Sequence, residues 1–350
     1  MDYRTAGVKF ALKLNMYGHP VETPFSEFLR IAQAAEELGF DAAYTIDHLF
    51  LPPDQVAGFS DYSDPERPFF PDAWTAMAGF AATTKRLRIG PQVTPMMRYH
   101  PALLAKFGAG IDWISNGRFV LQVGTGWNPE EYTSYGLPYL ESFAARYTQL
   151  VEGVEVVDAL WTRDVVDYEG QVYRLQGATL WPKPVTKPRP PIWVGGSGPS
   201  TRRLVARFGD AWTPAAPHYT GLDTEFYRES LKEIRQMAAE QYGRSPEDIL
   251  GAALFFVVID ETSAAASEAA STLRRRDAWK DLSVEEMGQK GIALIGDGEA
   301  VTRFLKPFVD AGARYFTLGF VPIRNADETI RRMKIFAETV MPNFRDEHRA

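Results

Sequence analysis

The chain contains no cysteine. That absence excludes disulfides, thiolate metal sites and a thiol nucleophile, and it fits the cytoplasm, which is the expected compartment. Histidine is scarce. The five, His19, His48, His100, His218 and His348, show no close H-x-x-x-H pairing, so no metal centre is expected. No basic run exceeds Arg274-Arg275-Arg276 and the net charge is −7, which argues against a nucleic-acid partner. No apolar run is long enough to span a bilayer, and the opening "MDYRTAGVKFALKLN" lacks the apolar core of a secretion signal, so no membrane partner is expected. A G-x-G-x-x-G after the first strand is missing too, which counts against a doubly wound dinucleotide-binding sheet.

What remains is a 350-residue chain of ordinary globular composition, 45% hydrophobic and 24% charged. Short apolar runs alternate with amphipathic helical patterns. "VKFALKL" (8–14) reads as a strand and "TPFSEFLRIAQAAEELG" as a helix, with Thr23 as cap, Pro24 in the first turn and Gly39 as stop. "DAAYTID" (41–47) is a second strand. In "HPALLAKFGAGIDWIS", Leu103, Leu104, Phe107, Ile111 and Ile114 fall on one side of a helix. The pattern continues to "GAALFFVVID", several helical segments, "RYFTLGF" and a terminal helix over 326–341. Eight such strand–helix repeats, with strands apolar throughout, predict an α/β fold closed as a (β/α)8 TIM barrel. One domain over 1–350 is expected, with insertions near 49–71 and 162–190, the second opening on a small hairpin, "VVDYEGQVYRL".

In such a barrel the chemistry lies at the C-terminal ends of the strands. "YTIDHLF" (44–50) puts Asp47 and His48 at the end of the second strand. The pair is either a hydrogen-bonded structural corner or the floor of an active site. The third strand ends in Thr94-Pro95 with Arg98 beyond, which reads as a plain polar loop. The fourth ends in "VGTGWNPEEY", where Asn128 and Tyr132 share a face if a helical turn begins, and a simple glycine turn fits equally well. The fifth ends in "VGGSGPSTRRL". Gly195, Gly196, Ser197 and Gly198 before a helix expose backbone N–H groups suited to an anion such as a phosphate, although glycine-rich strand exits are common. In the loop 49–71, Phe59, Tyr62, Phe69 and Phe70 either roof an apolar substrate pocket or pin the loop to the barrel.

Three stretches, "AAEELGFDAAYTIDHLF", "RLRIGPQVTPMMRYHPALLAKFGAGIDWISNGRFVLQVGTGWNPEEY" and "PPIWVGGSGPSTRRLVARFGDAWTP", resemble the luciferase-like flavin and deazaflavin oxidoreductases, the bacterial luciferase-like monooxygenase superfamily. The resemblance implies a TIM barrel binding F420, or alternatively FMN or FMNH2, at its mouth. It implies Asp47, Val93, Thr94, Trp127, Asn128 and Tyr132 along the ring or its side chain, and Gly195, Gly196, Ser197 and Gly198 on the phosphate. A non-proline cis peptide is implied around Val93-Thr94. His48 matches the histidine that the F420-dependent branch places beside the reacting ring, so His48 and Asp47 are the expected catalytic pair. Two departures count against sugar-phosphate oxidation. Trp127 stands where that branch has a glutamate, and Pro52 stands where it has a tryptophan.

The resulting expectation is F420-dependent hydride transfer to or from a small organic substrate. The alternatives are a two-component FMNH2-dependent monooxygenase and a non-catalytic flavin-binding protein. A separate flavin or F420 reductase and a homodimer are the partners the resemblance implies. A glycosidase on the same barrel would need a second carboxylate beside Asp47.

Overall fold

A computed structural model of the chain describes residues 7–20, 22–51, 69–214, 223–275 and 279–345. Its strands are β1 (Lys9–Lys13), β2 (Ala42–Thr45), β3 (Arg88–Pro91), β4 (Thr94–Pro95), β5 (Leu121–Gly124), β6 (Val166–Glu169), β7 (Arg174–Ala178), β8 (Ile192–Gly195), β9 (Ala211–Thr213), β10 (Leu250–Ile259), β11 (Leu294–Gly296) and β12 (Ala313–Phe320). The helices that matter here are α1 (Phe25–Glu37), α2 (Ala73–Thr83), α3 (Pro101–Ser115), α4 (Pro129–Ser134), α5 (Phe143–Thr162) and α6 (Pro199–Phe208).

Strands β3-β2-β1-β12-β10-β9-β8-β5-β4 pair in that order, and every one of these pairings is parallel. Because β3 and β4 are two halves of one interrupted strand, and Ile89 bridges Phe119 just ahead of β5, the ring closes as the expected (β/α)8 barrel. The interruption carries a cis peptide at Gln92–Val93, one bond before the expected place.

Alternation of side chains decides what each strand contributes. All ten residues of β10 are buried, yet Phe255 and Val257 pack outward with the helix layer while Leu254 and Phe256 face the barrel mouth. Lower in the barrel Tyr44, Trp193 and Tyr315 form an aromatic plug among alanines, with the Trp193 and Tyr315 rings 4.8 Å apart. Above the plug, Gly124 and Gly195 leave open the space that becomes a cavity.

Some local expectations shift. Pro24, not Thr23, caps α1, and no side chain completes that cap; Gly39 follows the helix with φ +84°, as a stop residue does. The region between β10 and β12 holds a further strand, β11, paired to β10 outside the ring; at three residues it is too short to show a period. The hairpin β6–β7 forms in the second insertion. In α3, Leu104 and Ile111 are buried, but Leu103, Phe107 and Ile114 are exposed, so its apolar residues divide between two sides. Among the described residues no helix is long and apolar enough to cross a membrane.

Candidate active site

At the end of β2 the strand's alternation sorts the side chains between two faces. Tyr44 and Ile46 point into the barrel, and Asp47 points outward beneath the helix layer. The Asp47 carboxylate is buried and accepts four hydrogen bonds: from Trp74 Nε1 (3.0 Å) and Thr94 Oγ1 (2.7 Å) on one oxygen, and from Arg98 Nη2 (2.9 Å) and Tyr99 Oη (3.2 Å) on the other. Arg98 also donates to the Asp47 carbonyl. With its acceptor sites occupied, Asp47 does not line the cavity, and neither does Thr94. Both had been expected along a ring; here they form a pillar joining β2, α2 and the turn after β4.

His48 takes the opposite course and lines a cavity of about 500 Å3 at the barrel mouth. Its Nδ1 lies 3.1 Å from each oxygen of Glu131, a residue of α4 that is 1% exposed at the side chain. A carboxylate only accepts, so the proton is on Nδ1 and Nε2 is the basic nitrogen. Nε2 has no partner among the described residues. Glu131 also accepts from Leu49 N at 2.9 Å, which ties the strand exit to α4. Arg98 stands between the two acids, 2.9 Å from Asp47 and 3.9 Å from Glu131. Burial disfavours the Arg98 guanidinium, but Asp47, Tyr99 and Glu131 outweigh that and raise its pKa. Asp47 and His48, neighbours in sequence, are therefore coupled through Arg98 and Glu131.

Glu131 and Arg98 escaped the sequence reading. Arg98 looked like loop, and Glu131 lies in "NPEEY" between two residues that drew attention. An acid one turn into the helix after the fourth strand is the signal that marks it.

The remaining candidates divide. Val93 lines the cavity, and its methyls press on the glycine backbones: a Cβ on Gly124 would lie 3.0 Å from Cγ2, and one on Gly195 3.2 Å from Cγ1. Trp127 lines it too, 45% exposed, with its ring edge-on to His48 at 5.8 Å. Asn128 and Tyr132 are buried behind the wall, with Asn128 Nδ2 and Tyr132 Oη lacking hydrogen-bond partners among the described residues; burial pushes the Tyr132 pKa upward. Gly195 and Gly196 line the far wall, whereas Ser197 and Gly198 do not. Gly198 caps α6 without a side-chain hydrogen bond and Pro199 follows, so the helix's positive end is open. Phe70 stacks on Tyr17 at 5.5 Å and lies edge-on to His48 at 6.5 Å; Phe69 instead stacks on Phe28 of α1. Phe59 and Tyr62 lie outside the described residues. Among the described residues no cluster of three or more acids and histidines is suited to a metal ion.

A barrel of this topology with a histidine–carboxylate pair at its mouth invites comparison with known proteins. The family model of luciferase-like monooxygenases matches residues 7–315. The chain belongs to that family. Among luciferase-like relatives, an F420-dependent glucose-6-phosphate dehydrogenase of Nocardia farcinica is 30% identical over 83% of this chain and 86% of its own. One of the same description from Amycolatopsis mediterranei is 26% identical over 91% and 94%. Of solved luciferase-like folds, a monooxygenase from Streptomyces bottropensis superposes with a TM-score of 0.77 at 25% identity, covering 96% of this chain and 99% of that one. An F420-dependent secondary alcohol dehydrogenase holding an F420–acetone adduct superposes at 0.76 with 23% identity, covering 97% and 100%.

Proposed function

We propose that this protein is an F420-dependent oxidoreductase that moves a hydride to or from a small, unphosphorylated organic substrate, with His48 as its proton-transfer residue. The observation that carries the reading is the His48–Glu131 pair on the cavity wall, with His48 Nε2 lacking a partner among the described residues. The curated relatives described as F420-dependent support the cofactor.

The residues present fit a flavin or deazaflavin. Gly195 and Gly196 border the cavity just ahead of the uncapped end of α6, a place suited to a phosphate, with Ser197 and Gly198 completing the loop. Val93 and Trp127 offer apolar faces, and Gln92 Oε1 and Thr213 Oγ1 are buried atoms of lining residues without hydrogen bonds among the described residues. When bound, a deazaflavin supplies a two-electron hydride acceptor. Oxidation of an alcohol releases a hydride from carbon and a proton from oxygen. Nε2 of His48 takes that proton, Glu131 at Nδ1 stabilises the imidazolium, and the reverse reaction returns the proton. Asp47 acts at a distance, by fixing Arg98 and so Glu131.

A sugar phosphate suits this cavity poorly. Its lining contains one lysine and no arginine among the described residues. Among the described lining residues a phosphate dianion would therefore meet a single cation, Lys13.

The likeness to the Streptomyces monooxygenase, at 25% identity, favours oxygenation as the second reading, with FMNH2 as the cofactor that the sequence resemblance implies. Equilibrium binding of F420, FMN and FMNH2 to the apoprotein separates the two, followed by assays with secondary alcohols, ketones and glucose 6-phosphate. Tight F420 binding with alcohol or ketone turnover is expected. FMN-selective binding would overturn the cofactor, and preferred turnover of glucose 6-phosphate would overturn the substrate class.

The exposed stripe Leu103, Phe107 and Ile114 supports a homodimer packed through α3.

A further inference from the structure

Lys13 ends β1 and lines the cavity, yet it is only 7% exposed. Its Nζ lies 5.2 Å from the Tyr17 ring centre and 4.9 Å from that of Phe256. Among the described residues its one hydrogen bond is donated to Tyr17 Oη, at 3.2 Å. An ammonium has three N–H donors, so two remain for something in the cavity.

Among the described residues no acid lining or bordering the cavity is free to serve as its partner. Asp47 is filled by Trp74, Thr94, Arg98 and Tyr99. Glu131 is taken by His48 and Leu49 N. Asp41, lower on the barrel, pairs with Lys9 and Arg345. Burial draws the Lys13 pKa down to about 7. Methionine would fill the same volume without this desolvation cost. Among the described residues, then, the cavity holds a cation without a counter-charge.

We propose that Lys13 is the counter-ion for a single oxyanion on a ligand of this cavity. The inference rests on the cavity being the cofactor and substrate site. One cation matches one negative charge, and Ile46, Leu51, Leu254 and Phe256 make the surrounding wall apolar, so the anion belongs to a largely apolar or planar molecule. Two sources share this chemistry: the carboxylate of a small organic acid as substrate, and the delocalised anion of a reduced deazaflavin's pyrimidinedione.

The test is equilibrium binding to the parent, Lys13→Met and Lys13→Gln. The probes are benzoate without cofactor, oxidised F420, and reduced F420 under anaerobic conditions. Oxidised F420, whose phosphate and tail charges are the same in both redox forms, is expected to bind all three proteins alike. Either benzoate or reduced F420 is expected to lose at least roughly tenfold in both variants. A loss for benzoate assigns the charge to the substrate, and a loss for reduced F420 assigns it to the cofactor. Unchanged binding of every probe overturns the proposal, as does an equal loss for the two redox forms with benzoate unaffected. Failure of the parent to bind either form of F420 overturns the cofactor assignment instead, and the benzoate arm then decides the role of Lys13. Melting temperatures at or above the parent's confirm that both variants are folded.

Discussion

Nδ1 of His48 is held 3.1 Å from both carboxylate oxygens of Glu131, a residue 83 positions further along the chain. A strand exit and the first turn of α4 thereby build one proton-handling unit. Replacing His48 by Ala or Gln is expected to leave F420 affinity intact and to lower kcat by ~10²–10⁴-fold, the usual range for general acid–base catalysis. Glu131→Gln keeps an acceptor at Nδ1 but no charge, so its loss is expected to be smaller and to fall on kcat more than on KM. Parent-like turnover in His48→Gln would remove His48 from the chemistry.

Asp47 makes the opposite prediction. Its four donors come from α2, β4 and the turn that follows, so Asp47→Ala leaves a buried arginine with its closest charge partner gone. Breaking a buried pair of this kind costs about 3–5 kcal/mol. A clear fall in melting temperature is expected, accompanied by weaker catalysis through a displaced Glu131. A variant that melts like the parent but has lost turnover would show that Asp47 acts directly on bound ligand.

The barrel was legible because short apolar runs bounded by glycine and proline alternate with longer amphipathic segments, and length and flanks separate strands from helices. The position of His48, Gly195 and Gly196 at the barrel mouth was legible because they sit at strand ends. Which way Asp47 faced was not legible. A strand's alternation must be anchored by at least one known inward residue, and only the packing of Tyr44 against Trp193 and Tyr315 supplies it. Glu131 and Arg98 were hidden for a related reason. Their meaning lies in pairs 83 and 51 residues apart, and no local pattern encodes such a pair. The outward side of α3 misled the helical reading because apolar spacing does not say how many faces are covered.

Gly196 has φ +130°, and a Cβ there would lie 2.9 Å from Thr201 Oγ1. Gly196→Val is therefore expected to displace the loop ahead of α6 and to weaken F420 binding severely. Ser197→Ala, which leaves the backbone donors in place, is expected to weaken it only modestly. Fluorescence titration with F420 measures both, and parent-like affinity in Gly196→Val would move the phosphate elsewhere.

Leu103, Phe107 and Ile114 are 56%, 42% and 42% exposed along one stripe of α3. Sedimentation analysis is expected to find a dimer for the parent and a folded monomer for the double variant Leu103→Glu, Phe107→Glu. Dimers in both would place the interface on another surface.

Lys13 offers a readout that does not depend on any ligand. Its pKa is about 7 in the folded chain against an ordinary value of 10.5. Between those values the unfolded chain holds a proton that the folded chain has released, so this group makes stability rise with pH across that window. Below the folded value both states are protonated and the full cost of burying the ammonium is present, a few kcal/mol in order of magnitude. Lys13→Met removes that cost. The variant is therefore expected to exceed the parent in unfolding free energy most at pH 6, less at pH 8, and least at pH 10. Other ionisable groups are common to the two proteins and largely cancel in the difference. Denaturant melts at the three pH values measure it, and a gap that stays constant with pH would mean that Lys13 titrates like an exposed lysine and that its burial carries no electrostatic cost.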